Sequence, residues 1–325
     1  MKDFLKRRWF LVVLAVLLLI GLRFPEPVAW LTEINGLRQF IVCVVLFLMA
    51  FPLKADAMWR ALRRPGAPLL ASVLNYGLLP LVAWGFSLGI ADIDSGLQYG
   101  IIVAAATPST LASASVWTRR AGGNDASSIL VTIITNLFCF LITPMWLLWI
   151  IGEMPKFDPW EMIVKLGLLV VTPMALAQAL RTIKPVAVWA TANKTPMGVI
   201  AQIGVLTMIF LGAIRTGLSF HEKSDSQVLG PILWMVAIVM SVHVVMLVLG
   251  IWLARQAGMP YREQIAVGFS GSQKTCMVGL EVCAQLGITM LPMVAYHVGQ
   301  LLVDTVIADR WREKYGEEMK KESGE

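Results

Sequence analysis

Apolar runs of about 20 residues recur along this chain from end to end. A bilayer core about 30 Å thick takes a helix of that length. Inside the bilayer a backbone has no water to bond with, so each run must close its own hydrogen bonds, as a helix does. A membrane barrel would instead alternate apolar and polar residues over runs of about ten, and this chain does not. With 57% hydrophobic and 15% charged residues among 325, too few charges remain to solvate a water-soluble domain. The sequence therefore predicts an all-α, polytopic protein whose surroundings are the lipid bilayer. Its net charge of +6 is no sign of a nucleic-acid partner, because topology accounts for where the charges fall.

Ten spans are read, at roughly 9–23, 37–53, 67–90, 97–118, 126–152, 160–182, 197–217, 229–254, 262–286 and 289–309. The first follows a basic start but has no small-residue cleavage site after it, so it reads as a span and not a signal peptide. The loops are short, and the whole chain reads as a single transmembrane domain with a charged tail at 310–325.

Lysine and arginine decide the orientation. On one side lie Lys2, Lys6, Arg7, Arg8, Lys54, Arg60, Arg63, Arg64, Arg119, Arg120, Arg181, Lys184 and Lys194. Arg255, Arg262, Arg310, Arg312, Lys314, Lys320 and Lys321 join them. The other side has Arg23, Arg38, Lys156, Lys165, Arg215 and Lys223, and its loops Ala91–Gly96 and Gln285–Met290 carry none. The bias is 20 to 6, with Lys274 inside the membrane. Both termini are expected in the cytoplasm, in a plasma membrane or, for a prokaryote, the inner membrane. The four cysteines, Cys43, Cys139, Cys276 and Cys283, fall in apolar runs and read as buried small hydrophobes. They have neither a disulfide framework nor metal-type spacing.

The ninth run is the anomaly. Between Ile265 and Leu280 it carries the polar stretch Ser270, Gly271, Ser272, Gln273, Lys274 and Thr275. An ammonium at bilayer depth costs about 2.5–3.5 kcal/mol on insertion scales. Gly268 and Gly271 invite the helix to break there. Transporters build midplane binding sites from broken helices with polar groups at the gap. The fourth run carries a similar interruption in register: Thr107 with Ser270, Pro108 with Gly271, Ser109 with Ser272, and Thr110 with Gln273. Five spans separate these runs, so the second half would be upside down relative to the first. Interrupted segments at equivalent places in two halves point to a binding site. The plainer reading is a tolerated kink at Pro108, with the serines bonded to backbone carbonyls.

These motifs resemble a known family. Ala106 to Thr110, Ser115, Val116, Thr118, Ala121 to Asn124, Ser128, Thr132 and Asn136 are similar to the fourth and fifth spans of the bile acid/sodium symporter family. Gly271 to Thr275, Tyr296, His297 and Gln300 are most similar to its sodium/bile acid cotransporter 7-like branch. The resemblance implies ten transmembrane helices in two inverted five-helix repeats. It implies a panel of 9–53 and 160–217, and a core of 67–152 and 229–309 in which broken helices 4 and 9 cross.

It also implies former sodium-site positions at Ser115, Ser128 and Thr132, with amides at Asn75 and Gln273. There is a departure: a family glutamate falls at Phe269 and an asparagine at Lys274. An anion is lost and a cation gained. The expectation is that Lys274 places its ammonium where a sodium ion would sit, held by Ser115, Ser128 and Thr132 and by carbonyls of the breaks, within reach of Asn75 and Gln273. No metal ligand and no cofactor are assigned, and sodium coupling is doubted. Glu281 lies seven residues after Lys274 and is expected to pair with His297 or Gln300 in a proton path, or else to be an end-of-span acid. Asp304 reads as structural, near the cytoplasmic end and bridging to Arg310 or another base. His243 corresponds loosely to Asn75 and faces either the core or a packing contact.

The expected function is secondary transport of a small organic anion, sodium-independent with Lys274 as the built-in cation, or proton-coupled. One alternative is a non-transporting regulator of calcium homeostasis on the same fold, as relatives in this branch are linked to calcium handling. Another is a sodium-coupled symporter of bile-acid-like or carboxylate solutes. An enzyme is disfavoured, since no His-Glu-x-x-His motif occurs and the Thr107 to Thr110 hydroxyls have no adjacent general base.

Overall fold

The computed structural model describes residues 2–53, 65–91, 94–111, 113–152, 158–220 and 225–323. Lys54, Arg60, Arg63, Arg64, Lys156 and Lys223 lie outside the described residues, as do residues 92–93 and 324–325. The side chains of Lys2, Lys6, Arg7, Arg8, Lys314, Lys320 and Lys321 also lie outside the description.

The chain opens with α1 (Lys2–Arg23), a 3-10 turn at Glu26–Thr32, and α2 (Leu37–Ala50). Next come α3 (Gly66–Ile90), α4 (Ser95–Ala106) and the short α5 (Ala114–Arg120). Then follow α6 (Asp125–Ile151), α7 (Pro159–Leu180), α8 (Lys184–Ala192) and α9 (Lys194–Phe220). The last are α10 (Asp225–Gln256), α11 (Tyr261–Ser272), α12 (Cys276–Leu286) and α13 (Leu291–Ser323). Among the described residues there is no strand. Six stretches among the described residues are long and apolar enough to cross a bilayer: α3, α6, α7, Lys194–Leu218, Leu229–Gln256 and Leu291–Glu313. A seventh is the pair Val12–Arg23 and Glu26–Thr32, bent by 104°. The protein is an all-α, multi-pass membrane protein.

Side chains start several helices. Asp94 accepts from the amide of Leu97 (3.0 Å), Asn124 from that of Ala126 (3.1 Å), and Asp158 from that of Trp160 (2.8 Å). Each satisfies an N–H that a helix start leaves open. α3 is continuous but carries one π turn at Leu74–Leu78, and α7 another at Gly167–Val171. Such wide turns often mark functional positions, and the first contains Asn75.

α1 and α2 pack on α9, and α2 also on α7. α3, α4, α6, α10, α11 and α13 pack largely on one another. Close contacts rest on small residues, as membrane helices favour. A Cβ on Gly217 of α9 would lie 2.5 Å from the carbonyl oxygen of Gly21 in α1. On Gly250 of α10 it would lie 3.2 Å from the Cα of Gly268 in α11.

Polar contacts gather the helix ends on one face. Arg120 grips Asp309 through two bonds of 2.6 Å, and Arg312 reaches the carbonyl of Arg120 at 3.4 Å. Asn124 donates to Glu263 at 2.6 Å, and its amide to the carbonyl of Arg262 at 2.9 Å. The end of α5 and the turn of α13 carrying Asp309 and Arg312 thus share a face with the starts of α6 and α11.

Candidate ion and solute site at the helix breaks

Two apolar runs are interrupted, and the interruptions touch. α4 ends in extended backbone at Thr107, and its chain resumes as helix at Ala114. α11 ends in extended backbone at Gln273, and helix resumes at Cys276 after extended Thr275. The amide of Thr275 donates to the carbonyl of Pro108 at 2.8 Å, joining one break to the other.

A helix that stops inside the bilayer leaves its last carbonyls without partners. Here side chains take their place. Asn75 Nδ2 lies 3.3 Å from the carbonyls of Ser270 and Gly271 and donates to that of Gln273 at 2.9 Å. Tyr296 donates its hydroxyl to Ser272 at 2.8 Å. Gln300 imitates a strand neighbour: its Oε1 accepts from the amide of Lys274 (2.8 Å) and its Nε2 donates to the carbonyl of Lys274 (2.9 Å). At the other break, Thr143 donates to Ala106 (2.8 Å) and Asn136 to the carbonyl of Ser109 (2.8 Å), while the amide of Ser109 meets Thr135 Oγ1 at 3.2 Å.

Lys274 is fully buried. Its Nζ donates to the carbonyls of Asn75 and Thr107, each at 2.7 Å, and to Asn75 Oδ1 at 3.1 Å. The ring of Tyr76 lies 5.5 Å from the ammonium. Thr107 caps the carboxyl end of α4, where a helix dipole is negative. Asn75 therefore acts twice: its amide N–H groups hold the α11 break, and its two oxygens hold the lysine.

The expected break carbonyl and Asn75 are thus in place, at Thr107 and in α3, whereas the three expected hydroxyls are not. Ser128 Oγ instead accepts from Ser270 at 2.6 Å, and Thr132 donates back to the carbonyl of Ile129 at 2.8 Å. Ser115 is half-buried on α5. The reason is reach: the lysine leaves the α11 break toward α3 and α4, whereas Ser128 and Thr132 sit on α6. Thr110 is buried at the break, and Thr107 Oγ1 donates to Ala104 at 2.8 Å. The Ser109 hydroxyl is buried without a bonded partner. Gln273 has both ends committed: Oε1 accepts from Ser113 at 2.9 Å and Nε2 donates to Asp304. It is not arranged as a metal ligand. Phe269 also points elsewhere, into an apolar cluster with Leu247, Ile265 and Ala308 and edge-on to Trp311 at 5.8 Å.

Glu281 meets neither His297 nor Gln300. It accepts from Gln39 of α2 at 3.3 Å and from Gln285 at 3.1 Å. It thereby links α12 to α2, away from the breaks. His297 stays with them, 3.0 Å from Gln300 Nε2 and 3.5 Å from the carbonyl of Lys274. Asp304 does not bridge to Arg310 at a helix end. It is fully buried, 2.8 Å from His243 Nε2. Sequence reasoning passed over Ser113, Thr135 and Thr143, and Asn136 entered only through the resemblance. The available signal was polar spacing: Thr132, Thr135, Asn136 and Thr143 fall on one face of a helix.

Known proteins share this architecture in sequence. The sequence model of the SBF-like CPA transporter family matches residues 8–313. The sodium/bile acid cotransporter 7 of Rattus norvegicus is 23% identical over 321 residues, spanning 93% of this chain and 92% of its own. The cotransporter 7-A of Xenopus laevis is 21% identical over 318 residues, spanning 93% and 91%. An uncharacterized sodium-dependent transporter of Bacillus subtilis, YocS, is 23% identical over 307 residues, spanning 94% and 90%. With nearly its whole length matched, and with broken helices meeting around a buried lysine, the chain belongs to the SBF-like CPA transporter family, and so among transporters and not enzymes.

Proposed function

We propose that this chain is a secondary transporter that carries a small organic anion by alternating access, with the crossing of the two breaks as its binding centre. In this reading α1, α2, α7 and α9 form a panel. The remaining spans form a core, and the two halves are inverted five-span repeats, ten spans in all. Both termini lie in the cytoplasm. One observation carries the reading: backbone breaks of two helices are bonded to each other around a buried ammonium. A transporter needs such a place, where irregular backbone lines a site near the midplane. The amino end of α12 and the lysine both offer positive charge to an anion.

Coupling divides two readings. The relatives named as sodium/bile acid cotransporters and as a sodium-dependent transporter favour a sodium-coupled symporter of bile-acid-like or carboxylate anions. The ammonium held by three oxygens of Asn75 and Thr107, though not by Ser115, Ser128 or Thr132, supports a built-in cation and no need for sodium. Uptake of taurocholate into vesicles containing the purified protein separates them. Equal uptake in sodium, potassium and choline salts supports the built-in cation. A saturable sodium dependence supports the symporter and ends the sodium-independent reading.

A further inference from the structure

Lys274 is not the last ionisable group buried at the breaks. His243 of α10 and Asp304 of α13 are both fully buried, and His243 Nε2 lies 2.8 Å from Asp304 Oδ1. The other ring nitrogen, Nδ1, lies 3.3 Å from the carbonyl oxygen of Ser272, the last residue of α11. A carboxylate and a carbonyl only accept hydrogen bonds, and a neutral imidazole has a single N–H. It cannot donate to both. Both contacts close only when the pair holds one proton more than a neutral imidazole with an ionised carboxylate. That proton sits on the ring or on the carboxyl, between Nε2 and Oδ1.

We propose that the His243–Asp304 pair is a proton-binding site whose occupancy is felt at the α11 break and couples a proton to the transported anion.

The surroundings isolate the pair. From α13, Tyr296 stands edge-on to the imidazole at 5.8 Å, its hydroxyl on the same Ser272 carbonyl, while His297 is turned to Gln300. α11 carries its ionisable side chains, Tyr261, Arg262 and Glu263, in the first turn, far from Ser272. α3 and α4, which also pack on α10, carry only Tyr76 and Tyr99. Tyr76 donates to the carbonyl of Thr135 at 2.6 Å. Lys274 follows the break but turns its ammonium to Asn75 and Thr107. Asp304 spends its second oxygen on Gln273, so it grips the break directly as well as through His243 and Ser272. When the proton leaves, one of the two imidazole contacts must be given up. Either Ser272 or Asp304 is released, and both are anchors of the break.

The sign of the coupling follows from charge. Without the proton, Lys274 and Asp304 cancel; with it, the buried set carries one net positive charge. An anion at the crossing is therefore favoured by the proton. Linkage requires the proton to be favoured by the anion in equal measure. The two move in the same direction. This step rests on the reading of the chain as an anion transporter; the existence of the proton site does not.

The test has a substrate-free arm and a transport arm. The full chain, labelled with 15N at its three histidines, is placed in lipid nanodiscs and its ring nitrogens are followed by NMR from about pH 5 to 9, the range that brackets an ordinary imidazole. His243→Gln assigns the signal. A single titration at His243, displaced in Asp304→Asn, supports the site. Ring signals that stay fixed across the range overturn it. In vesicles, exchange of taurocholate at equal pH tests the transport reading on its own; no exchange in the wild type overturns that reading and leaves the spectra to decide the site. With an inward proton gradient, one proton per monovalent anion should concentrate taurocholate about tenfold per pH unit. His243→Gln should bring that plateau ratio to one, whatever its rate. A plateau unchanged in His243→Gln overturns the coupling.

Discussion

Replacing Lys274 by methionine removes the ammonium and keeps most of the side chain's bulk. In the folded protein it loses the bonds to the carbonyls of Asn75 and Thr107 and to Asn75 Oδ1. Bonds to a charged group contribute about 1.5–3 kcal/mol each. Against this stands the desolvation of a fully buried ammonium, which costs several kcal/mol and disappears with it. The balance is tipped by the buried acceptors of Asn75 and Thr107, which lose their donor. A buried polar group left without its partner costs about 1–3 kcal/mol. We expect Lys274→Met to be destabilised by about 3 kcal/mol or more. At about 2–4 °C per kcal/mol for soluble domains of moderate size, and less for a longer chain, the melting temperature should fall by about 5–10 °C. Cys139, Cys276 and Cys283 are free and buried, so a thiol-reactive dye in detergent reports unfolding directly. Taurocholate uptake should be lost in the same variant. An equal or higher melting temperature with uptake intact would refute the reasoning, because the lysine would then be held at a net cost and serve no site.

Two further outcomes test the frame around the site. Reporter fusions after Arg120 and after Leu286 should read cytoplasmic and external respectively; the reverse pair would overturn the span count and the orientation. Gly217→Ala places a Cβ 2.5 Å from the Gly21 carbonyl oxygen and 2.8 Å from that of Leu22, both backbone atoms that cannot swing aside. It should cost about 1–3 kcal/mol through separation of α1 and α9, lowering the melting temperature, whereas an unchanged value would mean that the two helices slide freely.

The membrane class was legible because hydropathy sums over whole segments, so a few misread residues do not alter it. The two breaks were legible for a related reason: Pro108, Gly271 and a lysine in apolar runs violate the local pattern, and violations cluster at functional sites. The partners of Lys274 were legible in part. A break carbonyl and Asn75 hold the ammonium as expected, whereas Ser115, Ser128 and Thr132 do not. Which oxygens are reached follows from the way one side chain leaves an extended residue, and a span list has no such direction. Asp304 does bridge to a base, but that base is His243 and not its sequence neighbour Arg310. It lies six residues before Arg310, yet α13 continues to Ser323, so Asp304 sits well inside the helix. Of the two readings of Glu281, the pairing with His297 or Gln300 fails: about one and a half turns of α12 carry it to α2 and Gln39, away from the break.

The geometry also bears on what can drive transport. A sodium ion bound at a helix crossing arrives from one side and leaves on the other, and that passage carries free energy. An ammonium on a side chain also satisfies buried oxygens but cannot leave. In the proposed reading Lys274 therefore fixes the electrostatics of the crossing without supplying a driving force. If nothing else at the breaks exchanged with water, the protein could only let its solute equilibrate. The same cluster holds a second ionisable pair that can exchange: His243 and Asp304, tied to Ser272 and Gln273 on the α11 break. In that reading, built-in cation and exchangeable proton divide between them the two tasks that one mobile ion would perform together. Lys274 would hold the breaks in place, and the His243–Asp304 pair would respond to the gradient.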